Sequence, residues 1–407
     1  MKLRHLLMWV QGVALCLALA EPAMAGGFLG GLLGIQDSSP HTKPYAVLDE
    51  DFYPTSVVWS PDGKYIADDG ILSRHIHIWD VANQKIIRDI DLIKFNAGPS
   101  PNFSSMAWSP DGEFLAVSVS RNKQMFVFNT KSWGVAKELS EGTFGGCFSP
   151  AFSDDGKLLA VGRNGRDVLG NYTTHIVKVY STADWHLVHM VDFSDIDHVD
   201  GWTVAVNRVV FQPGTHLLAI GMSGYFGIPP GAPHPYMEYG VIQNQVHSSS
   251  RVFFWDTDGR APDLLTSDLD QSIVAYKTGW GIEALAFSPD GRQLATGTLT
   301  GVGDPQVTDS AHIYDSNSHS MLAAPLDGTD KVGHTDALGY IAGGKYLLVG
   351  HYDQSGTLDI IDAKTFKVAD MLSANGRIAS LAVDPSRPRF AVTSDHKLMI
   401  WDFVDKP

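Results

Sequence analysis

Short apolar runs recur along most of the chain and are separated by polar turns. In the first clear case residues 57–59 are apolar, residues 60–63 read Ser-Pro-Asp-Gly, and a second apolar run follows at residues 65–67. In a turn of this composition Pro fixes φ at the second position, Asp favours the third, and Gly accepts a positive φ at the fourth. Two short apolar runs joined by such a turn predict a β-hairpin.

The hairpin pattern occurs seven times, and the last two copies are degenerate. Residues 342–344 read Ala-Gly-Gly and residues 384–387 read Asp-Pro-Ser-Arg at the position of the tight turn. A third apolar run follows each hairpin, and a fourth, such as residues 85–92 or 367–372, completes most units. Seven units of four short strands predict an all-β, seven-bladed β-propeller. The aligned positions of the seven first strands are Trp59, Trp108, Phe152, Phe211, Phe287, Tyr340 and Val383.

The ends of the third runs resemble the WD40 repeat family. The Trp-Asp dipeptide of that family stands at residues 79–80, 255–256 and 401–402, and its Gly-His dipeptide stands once, at residues 333–334. The third runs of the other four units keep only the Asp of the Trp-Asp dipeptide or neither of its residues. The resemblance covers about residues 45–407 and implies a WD40-like propeller. It indicates no subfamily, because Ser-Pro-Asp-Gly turns also occur in other secreted propellers.

The N-terminal region predicts a fourth strand for the last unit. The seventh unit has no fourth apolar run, whereas residues 45–51, Tyr-Ala-Val-Leu-Asp-Glu-Asp, belong to no unit of their own. The WD40 resemblance implies that such a segment pairs with the last blade, which removes an exposed sheet edge. We therefore expect the propeller to span residues 45–407. A Gly-rich leader at residues 26–44 precedes it and either contacts a partner or serves as a flexible linker.

Residues 1–25 have the three-part pattern of a secretory signal peptide. Lys2 and Arg4 precede an apolar run at residues 6–20, and Ala-Met-Ala at residues 23–25 provides a cleavage site before Gly26. The run is shorter than the roughly 20 residues that cross a membrane, although an uncleaved anchor is the alternative. We expect a mature protein that begins at Gly26, is periplasmic or secreted, and does not insert stably into a membrane.

Composition narrows the class of protein and partner. With 44% hydrophobic and 18% charged residues the chain is globular, and its net charge of −15 argues against binding to nucleic acid phosphates. Of the two cysteines, Cys16 lies in the signal peptide, which leaves Cys147 alone in the mature chain. A single thiol excludes an intramolecular disulfide and a zinc site with several cysteine ligands. We interpret Cys147 as a small buried residue rather than a nucleophile.

Long insertions mark one face of the predicted propeller. They fall between the second and third strands of blades three to five, at about residues 162–174, 222–250 and 297–310. Loops on a rigid scaffold commonly carry binding residues, and aromatic and Arg side chains form interface hot spots. The alternative is that these loops cover their own blades. The candidate partner-binding residues, including two on the connection between blades three and four, are Arg163, Arg166, Tyr172, His198, Trp202, Tyr225, Phe226, His234, Tyr236 and Tyr239.

Two groups of residues are candidate metal sites. Residues 195, 197 and 200 are Asp, as in a calcium-binding loop, but the third Asp is one position late and Val206 stands where a carboxylate should close the site. Four histidines are expected near the face with the insertions, namely His175, His234, His247 and His312. The sequence contains no nucleophile-elbow, metalloprotease or phosphate-loop motif. We therefore predict no metal, no cofactor and no catalytic residue.

The sequence favours an exported, non-catalytic and monomeric interaction scaffold that binds a protein or peptide through the loops of blades three to five. The alternative is an exported propeller enzyme, either a lactonase-like hydrolase or a cofactor-dependent oxidoreductase. Such an enzyme would require polar side chains that reach the central channel from several blades. The first strands instead start with mostly apolar or small residues, as at Val57, Ala107, Ala286 and Ala382. This pattern favours binding over catalysis.

Overall fold

The computed structural model describes the propeller region of the chain with short gaps. The predicted signal peptide and most of the leader lie outside the described residues. The described ranges are 41–71, 73–95, 104–119, 124–139, 145–166, 172–193, 205–223, 250–259, 273–275, 281–299, 311–326, 335–352 and 356–405.

These residues form seven antiparallel sheets of four strands each, which are the blades of the propeller. The first strand in the chain, β1 (Thr42–Asp49), precedes blade one. Blade one contains β2 (Tyr53–Trp59), β3 (Tyr65–Ile71), β4 (His75–Asp80) and β5 (Lys85–Asp91), which a short 3₁₀ helix at Leu92–Phe95 follows. Blade two contains β6 (Ser104–Trp108), β7 (Phe114–Val119), β8 (Gln124–Asn129) and β9 (Val135–Glu138). Blade three contains β10 (Gly145–Phe152), β11 (Leu158–Arg166), β12 (Tyr172–Ser181) and β13 (Leu187–Asp192).

The remaining four blades repeat the same order. Blade four contains β14 (Ala205–Phe211), β15 (Leu217–Ser223), β16 (Ser250–Asp256) and β17 (Ile273–Ala275). Blade five contains β18 (Gly281–Phe287), β19 (Gln293–Leu299), β20 (Ala311–Asp315) and β21 (Met321–Ala323). Blade six contains β22 (Thr335–Ile341), β23 (Tyr346–His351), β24 (Thr357–Asp362) and β25 (Lys367–Ser373). Blade seven contains β26 (Ile378–Val383), β27 (Arg389–Ser394), β28 (Lys397–Phe403) and, from the start of the chain, β1.

The first strands of the blades form a continuous inner ring. Each contacts the first strand of the next blade, and β26 of blade seven contacts β2 of blade one. The outer position of blade seven is taken by β1, which pairs with β28 from Thr42 opposite Phe403 to Asp49 opposite Lys397. This strand begins three residues before the expected boundary at residue 45, because its ladder with β28 continues through Thr42.

The turns between first and second strands are held by their own side chains. In blade one the Ser60 hydroxyl donates to Asp62 at 2.7 Å and accepts the backbone N–H of Tyr65 at 2.9 Å. Gly63 has a φ of +67°, as the fourth position of this turn requires. The same Ser–Asp bond occurs in blades two, three and five. These polar side chains therefore have a structural role.

The Asp of the Trp-Asp dipeptide closes the turn between the third and fourth strands. Asp80 accepts the backbone N–H of Asn83 at 2.9 Å, and Asp315 accepts that of Ser318 at 2.8 Å. These backbone hydrogen bonds stabilise the charged form and lower the pKa of both carboxyls. The residue before this Asp, or its equivalent, is buried between blades at Trp79, Phe128, Tyr180, Trp255, Tyr314, Ile361 and Trp401. One residue thus fills the core while the next closes a turn.

The insertions are shorter than the sequence predicts, because the strands continue into them. In blade three β11 and β12 stay paired through Arg163 opposite Ile176 and Asn164 opposite His175, so only residues 167–171 separate the two strands. In blades four and five the strands likewise reach Ser223 and Leu299. Within the described ranges, no helix is long and apolar enough to span a membrane.

Candidate functional site

The two faces of the propeller differ in their connections. The face on which each second strand ends and the next blade begins is called the insertion face here. The segments 167–171, 224–249 and 300–310 begin and end on it, and all three lie outside the described residues. The opposite face, called the turn face, contains mostly short turns whose polar side chains bond within the turn, but it also has one longer connection, residues 257–272 of blade four. The longest connection between two strands of one blade, residues 224–249, is on the insertion face.

The inner ring contains a repeated irregularity at its insertion-face end. In six of the seven first strands the ladder skips one residue and forms a β-bulge, which lies four residues before the aligned position in five blades and three residues before it, at Ser149, in blade three. Only β6 of blade two runs in regular register. Bulges redirect side chains and occur often next to functional sites. The bulged residues are Thr55, Ser149, Asn207, Glu283, Asp336 and Ala379.

Three of these bulged residues, with one neighbour, form a polar group on blades four to six. Asn207 Nδ2 donates to Glu283 Oε1 at 3.0 Å, across the boundary between blades four and five. Burial raises the pKa of Glu283 to about 7, Arg208 opposes that shift and Asp336 adds to it. All four side chains are half-buried. We call Asn207, Arg208, Glu283 and Asp336 the channel cluster.

The channel cluster combines groups that recognise polar ligands. An amide and a guanidinium donate hydrogen bonds, and two carboxyls accept them. A carboxyl whose pKa lies near neutrality can also exchange a proton at physiological pH. The bulged positions are polar in five of six cases, whereas the sequence indicated mostly apolar or small residues at the start of the first strands. The inner strands of blades four to six therefore carry polar side chains that the apolar pattern of the first strands does not predict.

A second polar group lies in blade one, and we call it the blade-one carboxyl cluster. Glu50 follows β1 on the insertion face, and its carboxylate accepts Trp79 Nε1 at 2.9 Å and contacts His77 Nδ1 at 2.8 Å. Asp68 of β3 is buried beside them. Burial is the largest single influence and disfavours the charged imidazole of His77, but the hydrogen bond to Glu50 and the negative charges of Glu50, Asp89 and Asp51 together outweigh it and raise the pKa of His77. The potential ligand atoms of Glu50, Asp51 and His77 all lie within 4.8 Å of one another.

Comparison with known families gives an independent result for the repeats. The family described as WD domain, G-beta repeat, matches residues 92–129, 268–304 and 367–402. The chain contains WD40 repeats and folds as a seven-bladed β-propeller. Each match starts near the outer strand of one blade and continues into the next, so that the repeat of the WD40 propeller is offset from its structural blade. No curated protein matches the chain.

The structure describes three of the predicted partner-binding residues, and all three lie in blade three of the WD40 propeller. Arg163 is half-buried on β11, and Arg166 pairs with Tyr172 where the β11–β12 hairpin ends. These three residues belong to paired strands, whereas the sequence places them in a loop, because the hairpin ladder continues as far as the pair Arg166 and Tyr172. The others lie outside the described residues, namely His198, Trp202, Tyr225, Phe226, His234, Tyr236 and Tyr239.

Blade three is attached firmly to the inner strand of blade four. Asn164 Nδ2 donates to the Val206 carbonyl at 2.9 Å, and its Oδ1 accepts the Val206 N–H at 2.9 Å. The bulged Ser149 accepts the N–H of Val209 at 3.1 Å. Asn164 and Ser149 are buried, so these bonds are protected from water. They hold the β11–β12 hairpin in a defined position beside the channel cluster.

The candidate metal-ligating histidines come from different blades where the structure describes their strands. His175 lies on β12 of blade three and the buried His312 on β20 of blade five, and blade four separates the two strands. His234, His247 and the three Asp residues at 195, 197 and 200 lie outside the described residues.

Proposed function

We propose that this WD40 propeller is a non-catalytic scaffold that binds a protein or peptide on its insertion face, over blades three to five. The fold supports the proposal, because rigid propellers present loops for interaction while their blades supply stability. The candidate contacts are the predicted partner-binding residues together with the channel cluster beside them.

The observation that carries the proposal is the asymmetry between the two faces. On the turn face, Ser60 and Asp80 are bonded within their turns, as are their equivalents in other blades. On the insertion face, the longest connection, residues 224–249, and the channel cluster occur in the same sector of the ring, while the turn face has one longer connection, residues 257–272 of blade four. A polar peptide would find hydrogen-bond donors and acceptors at the channel cluster and aromatic contacts on the loops.

Export belongs to the same proposal. The signal-peptide pattern at residues 1–25 supports a mature protein that begins at Gly26 and acts as a monomer in the periplasm or outside the cell. The net charge of −15 keeps the protein soluble and away from anionic membrane surfaces.

Site-specific photo-crosslinking tests the proposal. A photoreactive phenylalanine analogue is placed at Tyr225 or Tyr236 on the insertion face, and at the exposed Asn317 in the β20–β21 turn as a control. The protein is produced with its own N-terminus, and the fraction whose first residue is Gly26 is irradiated in cells. We expect one discrete partner to crosslink from the two insertion-face positions and none from Asn317.

Alanine variants then measure the contribution of each anchor to the identified complex. Tyr225→Ala, Phe226→Ala and Trp202→Ala should each weaken binding by about 1–3 kcal/mol if the side chains are buried in the interface. An unchanged melting temperature would show that the blades remain folded. Crosslinking from Asn317 alone, or normal binding by all three variants, would place the interface on another face.

The channel cluster also supports a second candidate function, a propeller hydrolase. The pKa of about 7 suits Glu283 to act as a general base or acid, and Arg208 and Asn207 could orient a substrate beside it. The WD40 fold and the loop sector favour the binding scaffold, which remains the first proposal.

A further inference from the structure

The blade-one carboxyl cluster lies apart from the proposed binding sector and has an unusual composition for a propeller core. Asp68 stands directly opposite Val57 on one neighbouring strand and His77 on the other. Residues paired in this way have Cβ atoms about 5 Å apart on the same side of the sheet. Five other blades have a branched apolar side chain at the position of Asp68, and blade five has Thr296. The apolar equivalents are Val117, Val161, Ile220, Val349 and Val392.

Asp68 is the group in this cluster whose environment is incomplete. Its exposed fraction is 0%, and no hydrogen bond of good geometry reaches either carboxyl oxygen, although the Glu50 carboxyl and the Trp79 indole lie close enough to interact with it. The side chain lies beside Glu50, whose own oxygens are engaged by Trp79 and His77. A buried carboxylate without a partner is strongly unfavourable. A Val at this position, as in most blades, would avoid that cost, so a compensating group is expected.

The charges around Asp68 do not balance without such a group. Glu50 and Asp51 add two further carboxyls, and Asp89, which pairs with His75 at 2.6 Å, faces His77 from β5. Opposite Glu50, Asp51 and Asp68 stand one imidazole, of His77, and one indole N–H, of Trp79. Burial and the nearby Glu50 raise the pKa of Asp68 well above its ordinary value. A cluster of this kind takes up positive charge, either as a proton or as a metal ion.

The arrangement of donor atoms favours a metal ion. Ligand atoms bound about 2.0–2.2 Å from one ion can be separated by at most about 4.4 Å. Those of Glu50, Asp51 and His77 lie within 4.8 Å of one another, so that a shift of a few tenths of an ångström would suffice. We propose that Glu50, Asp51 and His77, with the buried Asp68 beside them, form a binding site for a divalent transition-metal ion.

The donor set indicates which ions are suitable. Carboxylates favour Mn²⁺ and imidazole favours Zn²⁺, and both ions accept a mixed set of oxygen and nitrogen ligands. The site would be less suitable for Ca²⁺, which prefers six to eight oxygen ligands. Glu50 is fixed for this role, because its backbone N–H donates to the His396 carbonyl at 2.8 Å. Binding would displace protons from Asp68 and His77, since ligands bind metal in their deprotonated forms.

Calorimetric titration of the full mature protein tests the proposal. Tag-free protein is treated with EDTA, dialysed and titrated at pH 7.5 with Zn²⁺, Mn²⁺ or Ca²⁺ in two buffers that differ in ionisation enthalpy. We expect Zn²⁺ or Mn²⁺ to bind at one equivalent with release of at least one proton, and Ca²⁺ to bind at least tenfold more weakly. The bound ion should also raise the melting temperature.

The following variants distinguish loss of metal binding from loss of folding. Asp68→Val introduces the residue type of most other blades, and Glu50→Gln and Asp68→Asn keep the side-chain shapes. Each should weaken metal binding by about tenfold or more. Asp49→Asn removes the exposed carboxylate next to Glu50 and should leave binding unchanged.

Two outcomes would overturn the metal site. If Zn²⁺ and Mn²⁺ neither bind the native protein nor shift its melting temperature, a proton alone balances the cluster, and Asp68→Val should then be more stable than the native protein. If the ions bind with equal affinity to Glu50→Gln and Asp68→Val, they occupy a different site.

Discussion

At the scale of single residues, burial decides which side chains have unusual chemistry. Glu283 and Glu138 are the same residue type, but Glu138 is exposed on the outer strand β9 whereas Glu283 lies half-buried at the inner ring. For Glu283, burial outweighs the attraction of Arg208 and raises the pKa to about 7. The protein environment, rather than residue identity, thus gives one glutamate a titration near neutral pH.

The pKa of Glu283 predicts how stability depends on pH. In the folded protein the carboxyl of Glu283 stays protonated up to about pH 7, whereas its ordinary pKa is 4.5. Between these pH values the native state therefore binds more protons than the unfolded state. Stability therefore falls as pH rises from about 4.5 to 7 and is not recovered above that range. Glu283→Gln removes the titration. The free energy of unfolding of the variant, measured relative to that of the native protein, should therefore rise by on the order of 2 kcal/mol from pH 4 to pH 8.

Urea denaturation at the two pH values measures this gain. Glu138→Gln is the matched control, because it removes an exposed glutamate from an outer strand and should change stability equally at both pH values. If the Glu283→Gln and native proteins show parallel pH dependence, Glu283 has an ordinary pKa in the folded state.

At the scale of strands and turns, the blades are joined by polar contacts as well as by apolar packing. On the turn face His216 of blade four contacts Asp258 at 2.7 Å and Asp155 of blade three at 3.2 Å. The Gly214 N–H donates to Asp154 at 2.8 Å across the same boundary. Similar links join other blades, such as Trp59 Nε1 to the Ala382 carbonyl at 3.1 Å. The turns thus connect neighbouring sheets.

The link through His216 should depend on pH. The hydrogen bond with Asp258, aided by Asp155, raises the pKa of His216 above its ordinary value of 6.5. The link therefore stabilises the folded protein fully at pH values below the pKa that His216 has in the unfolded chain. The stabilisation is lost as pH rises through the pKa that His216 has in the folded protein. His216→Gln should lower stability by about 0.5–1 kcal/mol at pH 5.5, since the pair is partly solvated, and by less at pH 8.5.

Melting temperatures at pH 5.5 and 8.5 test this difference. His186→Gln is a suitable comparison, because His186 is paired with Asp184 inside one exposed turn and joins no second blade. A larger destabilisation by His216→Gln at pH 8.5 than at pH 5.5 would contradict the assignment.

At the scale of the whole molecule, the ring joins the two ends of the chain. β1 pairs with β28 and places Ala46 and Leu48 in a core shared with Trp59, Trp79 and Ile400. Without β1, the edge of β28 and this shared core would be exposed to water. The strand therefore contributes both hydrogen bonds and apolar burial between blades seven and one.

Two N-terminal truncations separate the leader from the closing strand. A protein that lacks residues 1–38 keeps β1 and should melt within a few degrees of the mature protein. A protein that lacks residues 1–52 loses β1, and its melting temperature should fall by roughly 10 °C or more, with a tendency to aggregate. Thermal unfolding by circular dichroism measures both. Equal melting temperatures would show that β1 contributes little to the ring.

Local chemistry was sufficient to predict the repeated part of the fold. Ser-Pro-Asp-Gly turns and alternating apolar runs determine hairpins through contacts within a few residues, so the seven blades could be predicted from the sequence. The bounds of the blade-three insertion could not, because Arg163 to Arg166 are strand only by virtue of pairing with β12. The extent of a strand depends on its partner as well as on its own residues.

The sequence by itself therefore determined the blades and their number, since each blade is built from residues adjacent in the chain. Only the tertiary structure determined the polar sites. Asn207 and Glu283 meet because a bulge in each inner strand directs them across a blade boundary. Glu50, Asp68 and His77 meet because three strands from two blades converge. The physical reason is that burial and charge depend on neighbours distant in the chain.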